Sequence, residues 1–216
     1  TSGLNADTVQ SSDADVASGI TRDVTVNGLP AGAQLAEGTY TGAYGTITVD
    51  ADGKATYTQT GLYDHTGVGS GTDAKTGADS ITIKVELADG TTVEVTVGVD
   101  IADDVPSISV DTPATGAYGS EITGSVDMAF GADGEKSVTV KLGNETVTGT
   151  KGTDGNYTFT FADGTVLTLN GSNGDFSYNG VPASGSDTSY DFTFTVTDND
   201  GDSASASTTA TVGATD

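Results

Sequence analysis

Apolar and polar residues alternate along most of the chain. In Asp79–Ile101, "DSITIKVELADGTTVEVTVGVDI", Ile81, Ile83 and Val85 occupy every second position, and Val93, Val95, Val99 and Ile101 keep the same alternation. A period of two belongs to half-buried strands, whose successive side chains point to opposite faces. The pattern returns in Asp191–Val212, "DFTFTVTDNDGDSASASTTATV". There Phe192, Phe194 and Val196 match the first three positions, and Ala204, Ala206, Ala210 and Val212 match the last four. Asp89-Gly90 matches Asp200-Gly201. Upstream, Gly45–Tyr57 resembles Thr165–Tyr178. Each pair reads as strand, turn, strand, so two copies of one β unit fit better than one large domain.

In the second copy the alternation predicts strands near 107–111, 121–128, 137–142, 145–150, 156–161, 165–169, 175–178, 190–197 and 203–212. Turn pairs separate them: Asp133-Gly134, Gly143-Asn144, Asp154-Gly155, Asp163-Gly164, Asn173-Gly174 and Asp200-Gly201. Many short strands with such turns predict an antiparallel sandwich of immunoglobulin-like type. The first copy has fewer recognisable strands. Its polar opening, through about Gly19, reads as loosely ordered, and no stretch has a helical period of useful length. The join is "DIADDVPSISVD" (Asp100–Asp111). Pro106 cannot donate to a strand ladder and biases Val105 toward an extended conformation, which puts the boundary near Val105. The expected fold is therefore all-β: two tandem immunoglobulin-like antiparallel β-sandwich domains, 1–105 and 106–216, in an extended arrangement. The ends look more like linkers than natural termini, so the chain reads as a piece of something longer.

Composition narrows the function. The 216 residues carry 31 acidic and 7 basic side chains, a formal net charge of −24, and 34 % of them are hydrophobic. Low apolar content with high charge can mean disorder, but here the apolar residues are mostly Val, Ile, Phe and Tyr in alternation, which predicts folded units with thin cores. Nothing in such a chain could neutralise phosphates, so nucleic acid is excluded as a partner and anionic membrane surfaces are disfavoured. Cations are the natural ligands. Cysteine is absent, which removes disulfides and thiolate metal sites, and a small extracellular domain then needs another staple. No run of about 18 apolar residues predicts a membrane span.

The segment Asp198-Asn199-Asp200-Gly201-Asp202 concentrates carboxylates further. Read blandly it is an Asp- and Gly-rich hairpin turn. Read as chemistry it is a calcium loop, because Ca²⁺ takes six to eight oxygen ligands and alternating Asp residues can aim several at one centre. It is not an EF-hand: Gly comes too early, and Thr209 stands where the closing Glu would be. A seven-strand sandwich topology brings this turn, the loop containing Asp133 and the entering segment with Asp103 and Asp104 to one end of the second unit. Asp103, Asp104, Asp133, Asp198, Asp200 and Asp202 are accordingly the candidate calcium ligands. The matching turn of the first unit keeps only Asp89, which predicts a weaker site or none. His65, the one histidine, lies in the Gly-rich stretch Gly61–Asp73 with no nucleophile pattern nearby, and reads as a local hydrogen-bonding residue rather than a catalytic one. Tyr40, Tyr44, Tyr63 and Tyr118 fall in predicted loops and are candidates for surface contacts.

"ADDVP" (Ala102–Pro106), "FGADGEKSV" (Phe130–Val138), "LTLNGSNGDFSY" (Leu167–Tyr178) and "FTVTDNDGDSAS" (Phe194–Ser205) resemble the immunoglobulin-like repeat domains of giant bacterial RTX adhesins exported by type I secretion. The resemblance covers essentially all of the second unit. In the first unit "GKATYT", "YDH" and "DIADDVP" look similar, while the opening 40 or so residues are atypical. The RTX nonapeptide itself is absent. The resemblance implies a non-enzymatic, calcium-rigidified, monomeric segment on a bacterial cell surface, serving adhesion and biofilm formation, with neighbouring repeats of its own chain as partners. The alternative it implies is a ligand-binding module that recognises a glycan or peptide through the first domain.

Overall fold

The computed structural model describes residues 3–65 and 73–213. The chain divides into two compact units, Thr1–Asp104 and Val105–Asp216. Both are all-β sandwiches of immunoglobulin-like type, with alternating side chains of two sheets meeting in a core.

The first unit contains β1 (Asn5–Ala6), β2 (Val9–Ser12), α1 (Ala14–Ser18), β3 (Thr21–Val24), β4 (Val26–Asn27), β5 (Gln34–Leu35), β6 (Gly38–Thr41), β7 (Gly45–Val49), β8 (Ala55–Gln59), β9 (Ala74–Glu86) and β10 (Thr92–Ala102). One sheet runs β2-β10-β9-β5 and the facing sheet β3-β8-β7-β6, with β1 and β4 forming a small ribbon. Val9, Ile81, Ile83, Val97 and Ile101 from the first sheet meet Ile47, Val49 and Tyr57 from the second.

The opening of the chain is ordered, contrary to the sequence-based expectation. β2 adds to the edge of β10 from Val99↔Val9 to Ala102↔Ser12, and this pairing is parallel, a departure from the antiparallel expectation. It buries Val9 and Ser11. The short helix α1 follows, also unforeseen, and ends at Gly19 in the left-handed conformation (φ +65°), whose N–H donates to the Asp15 carbonyl at 2.8 Å. A five-residue helix carries too few positions to show a period, and a parallel edge strand depends on a distant partner.

The second unit contains β11 (Ser107–Thr115), β12 (Ile122–Ala129), β13 (Glu135–Leu142), β14 (Glu145–Thr148), β15 (Thr150–Lys151), β16 (Tyr157–Thr160), β17 (Val166–Leu169), β18 (Asp175–Tyr178), β19 (Thr188–Asp198) and β20 (Ser203–Val212). Its six-stranded sheet runs β11-β12-β18-β17-β16-β15 and its four-stranded sheet β14-β13-β19-β20. Phe159, Leu167, Leu169 and Phe176 of the first pack against Val140, Phe192, Phe194 and Val196 of the second. The predicted strands recur with small shifts at their ends. One expected strand, 145–150, is two: the chain crosses between sheets at Gly149. Its backbone lies so close to Phe159 that a Cβ there would sit 2.7 Å from the ring.

The internal repeat holds at the level of register. Ile83 pairs with Val95 in β9–β10, and Phe194 pairs with Ala206 in β19–β20. Ile47 opposes Tyr57 in one unit and Leu167 opposes Tyr178 in the other. Position 97 is a buried Val, whereas its counterpart Thr208 turns its hydroxyl to accept the Ala114 N–H at 2.9 Å.

Candidate metal centre

In the second unit the antiparallel pairing of β13 with β19 sets Glu135 opposite Asp198, so the loop before β13 and the turn after β19 share one end. β11 begins at that end too, because Ser107 pairs with Ala129, the last residue of β12. Asn199 ties the two loops, its Nδ2 donating to the Asp133 carbonyl at 2.6 Å. Asp198 is fully buried and Asp202 nearly so. The turn closes on Asp198: its Oδ1 accepts the N–H groups of Gly201 (3.0 Å) and Asp202 (2.7 Å). Gly201, at φ +113°, takes a conformation few other residues adopt. Burial, and then the neighbouring Asp200 carboxyl, push the Asp198 pKa up to about 6. The turn thus carries three carboxylates in five residues and is tied to the Asp133 loop through Asn199, an oxygen-rich, acidic stretch whose chemistry suits a hard cation. A cation there would hold Asp198 ionised in spite of its burial.

Asp103 and Asp104 close the first unit, immediately after β10. Asp103 is buried beside His65, and around them lies a cluster the sequence did not disclose. Asp13, His65 and Asp103 are all buried, and one ligand atom from each lies within 4.8 Å of the others. His65 Nε2 faces the Ile101 carbonyl at 3.1 Å. Its Nδ1 faces the Tyr63 carbonyl (3.1 Å), Asp13 Oδ2 (3.1 Å) and Asp103 Oδ1 (3.5 Å). Oxygen atoms face both ring nitrogens, an arrangement that favours the protonated form. Burial lowers its pKa, but the Ile101 carbonyl and the Asp103 and Asp13 carboxylates outweigh that, and the net shift is upward. Asp13 is raised mainly by burial, against the Tyr63 N–H, His65 and Gln59. Gln59 Nε2 (2.5 Å) and the Tyr63 N–H (3.0 Å) donate to Asp13 Oδ1. His65 is therefore more than the local hydrogen-bonding residue expected: it joins the opening of the chain, the segment after β8 and the end of β10. The only hint of Asp13 was "SSDAD", a short polar run.

Of the tyrosines expected in loops, Tyr44, Tyr63 and Tyr118 do lie between strands, but none of the four is fully exposed. Tyr118 is buried, and its hydroxyl donates to the Ser186 carbonyl. Tyr40 lies in β6, half-buried, its hydroxyl donating to the Ala36 carbonyl. Tyr44 and Tyr63 meet edge to face at 5.1 Å, and Tyr63 meets the His65 ring at 5.0 Å, so Tyr63 packs on the buried cluster and Tyr44 on Tyr63. Residues 66–72 of the Gly-rich stretch lie outside the described residues. Asp89 is exposed and caps its own turn, accepting the Thr91 N–H (2.9 Å) and hydroxyl (2.6 Å).

No family model and no curated protein sequence matches the chain. Among solved structures it is similar to the N-cadherin EC1-3 segment of Drosophila, at 11 % identity over 96 % of this chain and 64 % of that one, with a TM-score of 0.40. It is also similar to a structure from a 1.5-MDa bacterial ice-binding adhesin, at 15 % identity over 98 % and 64 %, TM-score 0.28. A third is CfaE, the adhesive subunit of the CFA/I fimbria of enterotoxigenic Escherichia coli, at 11 % identity over 76 % and 63 %, TM-score 0.29. The chain spans less than two thirds of each of these structures. At such scores the fold rests on the strand pairing described above. Among the described residues no helix is long and apolar enough to cross a membrane.

Proposed function

We propose that the chain is a non-catalytic, calcium-stabilised structural segment of a large bacterial cell-surface adhesin. The observation that carries this reading is the Asp198–Asp202 turn, which buries Asp198 and Asp202 and draws in the Asp133 loop. The calcium ligands would come from Asp133, Asp198, Asp200 and Asp202 and from Asp103 and Asp104, which directly precede Val105 and Pro106. The resemblance of the second unit to adhesin repeat domains supports the extracellular, adhesive setting. The absence of cysteine supports a staple other than disulfides. The one histidine is buried with oxygen atoms facing both ring nitrogens, which supports a structural role for it. Calcium that binds the folded chain and not the unfolded one stabilises it by RT ln(1 + [L]/Kd), so millimolar external calcium would order a chain left labile at cytosolic levels. Scanning calorimetry at fixed ionic strength tests this. The melting temperature should rise in millimolar calcium relative to EDTA, and equal values in the two conditions would overturn the proposal.

A further inference from the structure

The outer face of the six-stranded sheet in the second unit carries a groove of about 810 Å³, within the range of about 300–1,000 Å³ typical of ligand sites. Its floor is a row of hydroxyls in register across five strands. Thr123 pairs with Ser177, Ser177 with Thr168, Thr168 with Thr158, and Thr158 with Thr150. Alternation sends the intervening Tyr157, Leu169 and Phe176 into the core, so the exposed face keeps only short polar side chains. Beyond this row lies a second one of amides and carboxylates from the turns: Asp154, Asn156, Asn170 and Asp175. β11 bulges between Val110 and Thr112, where the Thr112 N–H donates to the Ser125 hydroxyl at 3.1 Å and forms the opposite rim.

The second row is held ready by its own turns. Asn170 Oδ1 accepts the N–H groups of Ser172 (2.8 Å) and Asn173 (3.3 Å), which fixes the amide, while its Nδ2 has no acceptor among the described residues. Asp154 is steadied by the Asn156 N–H (3.1 Å) and Nδ2 (2.8 Å), and Asp175 by Asn173 Nδ2 (2.7 Å). Each carboxylate retains lone pairs for further donors.

The lining decides the chemistry of an occupant. It contains no Lys, Arg or His, and two carboxylates, which excludes an anion. Phe176 is its one aromatic residue and is 3 % exposed, so no ring is available to stack on a flat heterocycle. What remains is a run of donors and acceptors at strand spacing, flanked by two carboxylates with lone pairs left to accept hydroxyl groups of an occupant. We infer that this groove binds an uncharged, polyhydroxylated chain, a neutral oligosaccharide. The site is on the second unit, not the first, and is independent of the calcium reading.

The test is an NMR titration of the full ¹⁵N-labelled chain, in calcium and in EDTA, with cellohexaose, maltohexaose, chitohexaose and the anionic control oligogalacturonate. A neutral oligosaccharide should shift amides of β12 and β16–β18 and leave β9–β10 unmoved. Thr168→Leu fills the groove, and Asn170→Asp removes the Nδ2 donor while preserving the turn; each should weaken binding about tenfold or more, the scale of one or two lost hydrogen bonds. Thr193→Gln, on the exposed face of the other sheet, should change nothing. The inference is overturned if no neutral oligosaccharide perturbs the spectrum at millimolar concentration. It also fails if the shifts centre on the first unit, if both groove variants bind like wild type, or if only oligogalacturonate binds.

Discussion

Its place between two buried carboxylates makes His65 the most consequential single residue of the first unit. Removing one partner of a buried charged group leaves the others uncompensated and costs about 3–5 kcal/mol. His65→Asn should destabilise the first unit by about that amount in EDTA while leaving the second unit's transition in place. Combining it with Asp13→Asn should recover part of the loss, as a double-mutant cycle followed by urea denaturation would show. No reading of His65 from its own neighbourhood could find this, because Asp13, Ile101 and Asp103 are distant in sequence and only the fold gathers them. Asp15 offers a second residue-scale test. Burial raises its pKa, but the Arg22 guanidinium, donating to both oxygens at 2.8 and 2.7 Å, outweighs burial and holds it below the usual carboxylate range. A depressed carboxylate contributes stability above its unfolded pKa, near 3.8, and loses it as pH falls through the folded value. The destabilisation caused by Arg22→Ala should therefore be full at neutral pH, about 1–3 kcal/mol, and shrink below about pH 4. A penalty that stayed constant down to pH 2 or so would show that Arg22 acts through packing alone.

Elements were legible where local alternation and turn chemistry agree. The strands of the second unit follow Phe, Val and Leu at every second position, and its Asp-Gly and Asn-Gly turns carry positive-φ glycines at 134, 155, 164 and 174. Gly174 also has no room for a side chain, since a Cβ would lie 1.7 Å from the Val126 carbonyl oxygen. Legibility failed where an element draws its stability from elsewhere. "VQSS" is a poor strand alone, and β2 exists because β10 offers it an edge. The two equivalent hairpins turn this contrast into a prediction. They share a register, but one turn has an exposed, self-capped Asp89 and the other a buried Asp198 flanked by Asp200 and Asp202. Calcium titration by calorimetry should show a binding site lost in Asp200→Ala and no change in Asp89→Ala. Asp89→Ala should cost only its turn bonds. The reverse ranking would mean that the acidic turn after β19 is an ordinary hairpin.

For the molecule as a whole, the formal charge of −24 acts against compaction in every condition without a counter-ion. The chain segment from one unit to the next is Ala102-Asp103-Asp104-Val105-Pro106, with no Gly to supply slack and with Pro106 fixing one backbone angle. Two consecutive carboxylates in so short a segment repel each other. If Asp103 and Asp104 share calcium with the acidic turn of the following unit, the cation replaces repulsion by common ligation and fixes the angle between the units. On that hypothesis, removing calcium restores the repulsion among these carboxylates, which is screened only beyond about 8 Å at physiological salt, and frees the joint. Small-angle scattering in calcium should therefore report an extended, rigid particle, and in EDTA at equal ionic strength a more flexible one. Asp104→Asn should move the calcium profile toward the EDTA profile without unfolding either unit. Scattering unchanged by EDTA, or a compact side-by-side particle in calcium, would refute the shared-cation junction. Because calcium could still raise the melting temperature through the second unit alone, calorimetry and scattering together separate a local staple from a stiffened joint.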